Sequence, residues 1–234
     1  ASNGGTLLLS NNVIGAVGSS ISAGAGSTVV QNGVTVSGVI NTSGSGTFVA
    51  SNSVNNYLDG VTLNGVLDLA SATASQRVIH NLALNGNINL NANSILNFEG
   101  NNTLSGNAVI TLGDTGSSNR VGIDNNGTLT TNAGTLIHGK NGTIGQAIYI
   151  GGNSTLINNG TISADVAGGS VNIVAAPTNG GTLSALNGGQ LVLSANVTGL
   201  PSGSIVAGAG SQVLQNSVTV SGTINTTGSG MFTA

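Results

Sequence analysis

Apolar and polar residues alternate along short stretches of this chain, and glycine closes each stretch. Val34-Thr35-Val36-Ser37-Gly38, Val61-Thr62-Leu63-Asn64-Gly65 and Leu82-Ala83-Leu84-Asn85-Gly86 share one such pattern, with an apolar residue two places after each glycine, at Ile40, Leu67 and Ile88. A second family reads Asn125-Asn126-Gly127-Thr128-Leu129, Asn158-Asn159-Gly160-Thr161-Ile162 and Asn179-Gly180-Gly181-Thr182-Leu183. A period of two sends alternate side chains to opposite sides of a strand. The Val, Ile and Thr of these runs have branched β-carbons that suit a pleated, half-buried surface. Asn-Gly pairs begin at Asn32, Asn64, Asn85, Asn126, Asn141, Asn159 and Asn187. Both residues tolerate positive φ, so each pair can turn the chain sharply. With proline only at Pro177 and Pro201, almost every backbone N–H is free to join a ladder.

Helix is not expected. Gly, Asn, Ser, Thr and Val are poor helix formers, and no segment holds a 3.6-residue period. The one place for a short helical turn or a protruding loop is 67–78, around Ala70-Ser71-Ala72-Thr73-Ala74-Ser75-Gln76-Arg77.

The strand motifs recur at spacings of about 20 to 33 residues, the range of one solenoid coil with variable loops, and a longer repeat encloses them. Residues 1–50 align without a gap on 185–234, a shift of 184, with about two-thirds of the positions identical. The clearest stretch pairs Ile21 to Ala50 with Ile205 to Ala234. The chain therefore begins and ends at corresponding points of a long repeat, and each end is expected to meet an equivalent surface. Tandem hairpins or an array of β-sandwiches also use Asn-Gly turns, but antiparallel meanders need no such period. Coils that each carry matching apolar positions instead stack those side chains into internal ladders, with neighbours hydrogen-bonded in parallel at ~4.8 Å. The expectation is an all-β, parallel β-helix of irregular coils over 1–234, in which 1–50 and 185–234 are equivalent parts of one repeat. About nine coils per repeat would advance roughly 40 Å along a rod.

Composition narrows the function. Of 234 residues only 4 % are charged and 2 % aromatic, yet 38 % are hydrophobic. An average soluble domain is roughly 25 % charged. Disorder goes with high charge and few aliphatic residues, so this chain is expected to fold. A net charge of −3, with Arg77, Arg120 and Lys140 the only Lys or Arg residues, supplies no basic footprint for nucleic acid or acidic lipid. No cysteine is present, so disulfides and thiolate metal sites are excluded. No apolar run approaches the ~20 residues of a spanning helix, so membrane insertion by this segment is not expected.

Chemistry-bearing residues are few. Gly134 to Lys140 fits G-x-x-x-x-G-K, but Asn141 cannot replace the hydroxyl ligand of magnesium, and Asn141-Gly142 opposes the helix that must follow. The acids are Asp59, Asp68, Glu99, Asp114, Asp124 and Asp165. Asp59 and Asp68 fall in one coil, and Asp114 and Asp124 flank a loop, 113–122, that holds Arg120. Neither pair has a third acid or a base beside it, so solvated turn residues or loop caps are expected instead of catalysis. Asp114 with Asp124 is the better candidate for an incidental calcium site, without an ordered run of oxygen ligands. His80 and His138 lack metal-spaced partners and read as isolated surface residues, and no serine has a nucleophile-elbow setting. Tyr57, Tyr149, Phe48, Phe98 and Phe232 are too few for a stacking platform. Phe48 and Phe232 are repeat equivalents, which points to a core role. Asn41, Asn89 and Asn225 follow matching apolar positions and are expected to bond up the rod. Sequons such as Asn126-Gly127-Thr128 and Asn159-Gly160-Thr161 are expected from composition. Thr128 and Thr130 are too isolated for the flat array that ice binding needs. No catalytic, cofactor or metal residue is assigned.

Phrases such as Thr155-Leu156-Ile157-Asn158-Asn159-Gly160-Thr161-Ile162-Ser163-Ala164 and Gly188-Gly189-Gln190-Leu191-Val192-Leu193 resemble the repetitive passenger regions of bacterial autotransporter adhesins and filamentous-haemagglutinin-like exoproteins. That resemblance covers most of the chain but is compositional, and no secretion domain, C-terminal barrel or receptor motif accompanies it. It implies a right-handed β-helix, export from a Gram-negative cell, and a role in adhesion, aggregation or biofilm. The expected function is a non-catalytic segment of an extracellular surface fibre, with an adhesin stalk as the alternative and a polysaccharide-cleaving enzyme as a third reading. Expected partners are copies of itself end to end, then a host surface or matrix polysaccharide.

Overall fold

The computed structural model describes residues 1–70, 73–116 and 118–234. Among them there are 26 strands and no helix, and every strand pairing is parallel. The chain is a β-solenoid whose coils have three faces. The first coil runs through Thr6–Leu9 on face 1, Val13–Ile14 on face 2 and Ser20–Ala23 on face 3 before returning to face 1 with Thr28–Gln31. Two long strands, Tyr57–Leu69 and Ser75–Leu90, pass through corners without a break and so contribute to all three faces.

One column of face 1 runs the length of the molecule. Leu7, Val29, Phe48, Leu67, Ile88, Ile110, Ile137, Ile162, Leu183, Ile205 and Ile224 are successive register partners. From Val29 to Leu183 each member is fully buried. Each such side chain stabilises the fold by roughly 1.5–3 kcal/mol relative to exposure. The rungs lie 19 to 27 residues apart. The coil is therefore the unit that closes the core, and longer coils carry their extra residues as excursions at the corners.

Corners admit little beyond hydrogen. A Cβ on Gly86 would lie 1.9 Å from the carbonyl oxygen of Gly65, its register partner one coil earlier. At another corner a Cβ on Gly38 would lie 2.9 Å from Cα of Gly15. The stretch 67–78 holds no helix among its described residues: 67–69 end one strand and 75–78 begin the next, while Ser71 and Ala72 lie outside the described residues.

The long repeat is out of phase with the coil. From Leu7 to Leu183 there are eight rungs of face 1. Leu191, the counterpart of Leu7, lies in the next strand, Gln190–Leu193, on face 2. Each 184-residue repeat thus makes eight and one-third turns instead of nine, and its copies are turned by one face. Local geometry is kept through that turn. Gly26 N–H donates to Ser45 Oγ and Gly210 N–H to Ser229 Oγ, both at 2.9 Å. Thr35 N–H and Thr219 N–H donate to Asn12 and Asn196 Oδ1, again both at 2.9 Å. The Gly15–Gly38 approach reappears at Gly199 and Gly222.

Candidate functional site

Side chains with chemistry meet across coils, most of them about one coil apart in sequence, with Tyr149 reaching further. Arg77, on face 2, forms an ion pair with Glu99. Its guanidinium carbon lies 4.6 Å from the ring centre of Tyr57 and 4.8 Å from that of Tyr149. The two tyrosines therefore clasp one cation. The Tyr149 hydroxyl also bonds to Ser75. Burial pushes the Tyr57 phenol above its ordinary pKa and the Glu99 charge adds to that, with Arg77 opposing.

Tyr149 reaches this place on a corner excursion, 145–154, that folds back over face 2. Asp124, fully buried at the end of Arg120–Asp124, holds it down. Its carboxylate accepts the backbone N–H groups of Ile148 (3.1 Å), Tyr149 (2.6 Å), Ile150 (3.1 Å) and Gly151 (2.7 Å). Burial raises the Asp124 pKa, but the N–H donors of Tyr149, Gly151, Ile148 and Ile150 more than offset it and leave the group below the usual carboxylate range. Gly122 lies beneath the excursion, where a Cβ would meet the Ile148 side chain at 2.6 Å. Asp124 is thus a buried loop cap, one of the two structural roles expected from sequence, and not a solvated turn residue. Asp114 is exposed and bonds to Thr115. Arg120 begins a strand, so the loop expected at 113–122 ends earlier.

The histidines are not isolated. His80 Nδ1 lies 2.7 Å from Asp59 Oδ1, and His138 Nδ1 lies 2.9 Å from Asp165 Oδ2. The second pair lines a shallow depression with Asp114 and Lys140. Among the described residues no group of three or more acids and histidines could hold a metal ion. Asp68 accepts the Ala70 N–H at 2.8 Å. The stretch resembling a phosphate loop is a corner followed by the strand Leu136–Gly139, with Ile137 in the core. No helix N-terminus is there to receive phosphate.

An asparagine ladder includes Asn41 as expected, with Asn64 and Asn85 in place of Asn89 and Asn225. Asn64 donates to Asn41 and Asn85 to Asn64, each at 2.9 Å, on face 3. Asn89 and Asn225 lie on face 1. A second, internal ladder was not foreseen. Thr131 donates to Asn158 Oδ1 (3.1 Å), Asn158 to Asn179 Oδ1 (2.8 Å), and Asn179 to the Ser204 carbonyl (3.1 Å). Thr131, Asn158 and Asn179 are buried where Val61, Leu82 and Leu104 fill the same column earlier. Thr128 and Thr130 are less isolated than expected. Thr128 bonds to Thr155 at 2.6 Å, and Thr130 is in register with Thr103. Ile157 and Ala176 interrupt the array in the following coils.

No known protein family, curated protein or solved structure matches this chain. What remains distinctive is the pair of end coils. Phe48, Ile40 and Val36 are buried within the shaft, whereas their counterparts Phe232, Ile224 and Val220 in the last coil are partly or largely exposed. At the other end Leu7 is 42 % exposed while its counterpart Leu191 is buried.

Proposed function

We propose that this chain is a non-catalytic shaft segment of a bacterial extracellular fibre, which propagates by adding further coils of its own kind at its ends. The observation that carries this reading is the unbroken column from Leu7 to Ile224, whose end members are apolar, exposed and flanked by unpaired strand edges. Edges of that kind are strong templates for association. The acids and histidines support it too. Most are used in pairs as clasps and turn caps, and where Asp114, His138 and Asp165 share a shallow depression they form no group that could hold a metal ion. Surface location rests on the sparse charge and on the resemblance to exported bacterial passengers. Electron micrographs of native material test the proposal. Rods much longer than one chain are expected, together with no shortened products from acidic polysaccharides. Monodisperse short particles would remove the fibre, and turnover abolished by Asp114→Asn would favour the enzyme.

A further inference from the structure

The long repeat identifies what covers the C-terminal rim. Residues 215–234 repeat 31–50, and within the shaft 31–50 are covered by 56–69. Gln31 Nε2 donates to the Val34 carbonyl and, at 2.9 Å, to the Tyr57 carbonyl of the next coil. Gln215 Nε2 donates to the Val218 carbonyl in the same way, and the counterpart of the Tyr57 carbonyl would come from a coil stacked on the rim. Gly33 N–H donates to Asn56 Oδ1 at 2.7 Å. Its counterpart Ser217 holds a similar positive φ, 55° against 70°, so this corner keeps the turn of the covered coil. Leu58, Leu63 and Leu67 sit on Val36, Ile40 and Phe48. The matching seats at the rim are Val220, Ile224 and Phe232.

We infer that the C-terminal rim is a docking surface for one occupant: a further copy of this repeat, entering through its counterpart of 56–69 and turned by one face about the rod. The inference deepens the fibre reading and rests on it for its biological sense. It adds a partner segment, a register and a symmetry. Asn56 would cap Ser217, the Tyr57 carbonyl would take Gln215, and Leu58, Leu63 and Leu67 would seat on Val220, Ile224 and Phe232. At the rim the bridge at Val220 and the strands 223–226 and 231–233 lie on faces 3, 1 and 2, whereas their counterparts lie on faces 2, 3 and 1. Every added repeat would therefore be rotated by a third of a turn and advanced by about 40 Å, at ~4.8 Å per coil. A surface feature of the repeat would appear on all three faces in sequence along the fibre.

The test uses the full chain extended past Ala234 by a copy of 51–90, beside the same extension with its copies of Leu58, Leu63 and Leu67 changed to Ser. Hydrogen exchange is read over 212–233, with 95–112 as the internal measure of a folded shaft. The native extension should slow exchange of the rim at least about tenfold and the serine extension should not. Equal exchange in both extended chains, at the rate of the unextended chain or slower, would overturn the inference. In a chain carrying a second copy of 51–234, images should show successive repeats turned by a third of a turn. Repeats in line with one another would also overturn it. Rim protection in the absence of filaments from native material would instead remove the fibre reading and leave the docking surface standing.

Discussion

Asp124 accepts the backbone N–H of Tyr149 at 2.6 Å from a site with no exposure to solvent. That bond and its three companions fold a ten-residue excursion back across the outside of the coil. The carboxylate is worth most as an anion, because four N–H dipoles point at it. Asp124→Ala should destabilise the chain by on the order of 3 kcal/mol, since the donors lose a charged acceptor. Urea unfolding checks this, and a loss near zero would show that the excursion is not anchored there.

The same group gives a pH dependence. Its native pKa lies below the ordinary range, so it binds fewer protons folded than unfolded. Its contribution is complete above the unfolded value of ~3.9 and is lost as pH falls through the lowered native one. Asp124→Asn should flatten the acid limb of stability against pH. An unchanged limb would mean that other carboxylates carry it.

Tyr57 supplies a spectroscopic test of the clasp. The chain has two tyrosines and no tryptophan, so phenolate absorbance in a Tyr149→Phe background reports Tyr57 alone. Burial and then Glu99 raise its pKa, while Arg77 lowers it. Glu99→Gln should therefore move the titration down, and Arg77→Gln should move it up. Shifts of the opposite sign would rule out the charge arrangement described here.

Strands, coil length and buried columns were legible in the sequence because alternation and glycine spacing report them directly. Which face a motif occupies was not. Alternation looks the same on every face, so Gly38, Gly65 and Gly86 appear equivalent. Yet Gly65 and Gly86 share one corner, and Gly38 stands at another, where Ile40 pairs with Leu63 and not with Leu67. The misassigned asparagine ladder follows from that single slip. The His80–Asp59 and His138–Asp165 pairs were missed for a related reason. Separations of 21 and 27 residues carry meaning only once the coil through them is known to have that length.

The internal ladder at Asn158 should matter more than the outer one at Asn64. Asn158 is buried, and its removal leaves the Thr131 hydroxyl without its acceptor and Asn179 Oδ1 without its donor in a low-dielectric core. Asn158→Ala should cost about 1–3 kcal/mol, and Asn64→Ala, where water can replace the lost bonds, well under about 1 kcal/mol. Equal losses in urea unfolding would deny the buried ladder a role in registering coils.

Two glycines separate packing from backbone strain. Gly181 stacks on the preceding corner, where an added Cβ would lie 2.0 Å from the carbonyl oxygen of Gly160. The same corner one coil later repeats the arrangement, with Gly203 and the Asn179 carbonyl at the same 2.0 Å. Backbone cannot yield there without parting two coils, and a parted pair loses ladder bonds on both adjoining faces. Gly168, by contrast, has φ of 69° and open space around its Cα. Alanine there meets only the left-handed penalty, roughly 1–2 kcal/mol. Gly181→Ala should exceed it, reaching about 3 kcal/mol or more as overpacking that the core cannot relieve. The comparison is internal to one chain and needs only two unfolding midpoints. If Gly181→Ala proves no worse than Gly168→Ala, the corners are not in close contact, and the tight coil spacing on which the shaft depends is wrong.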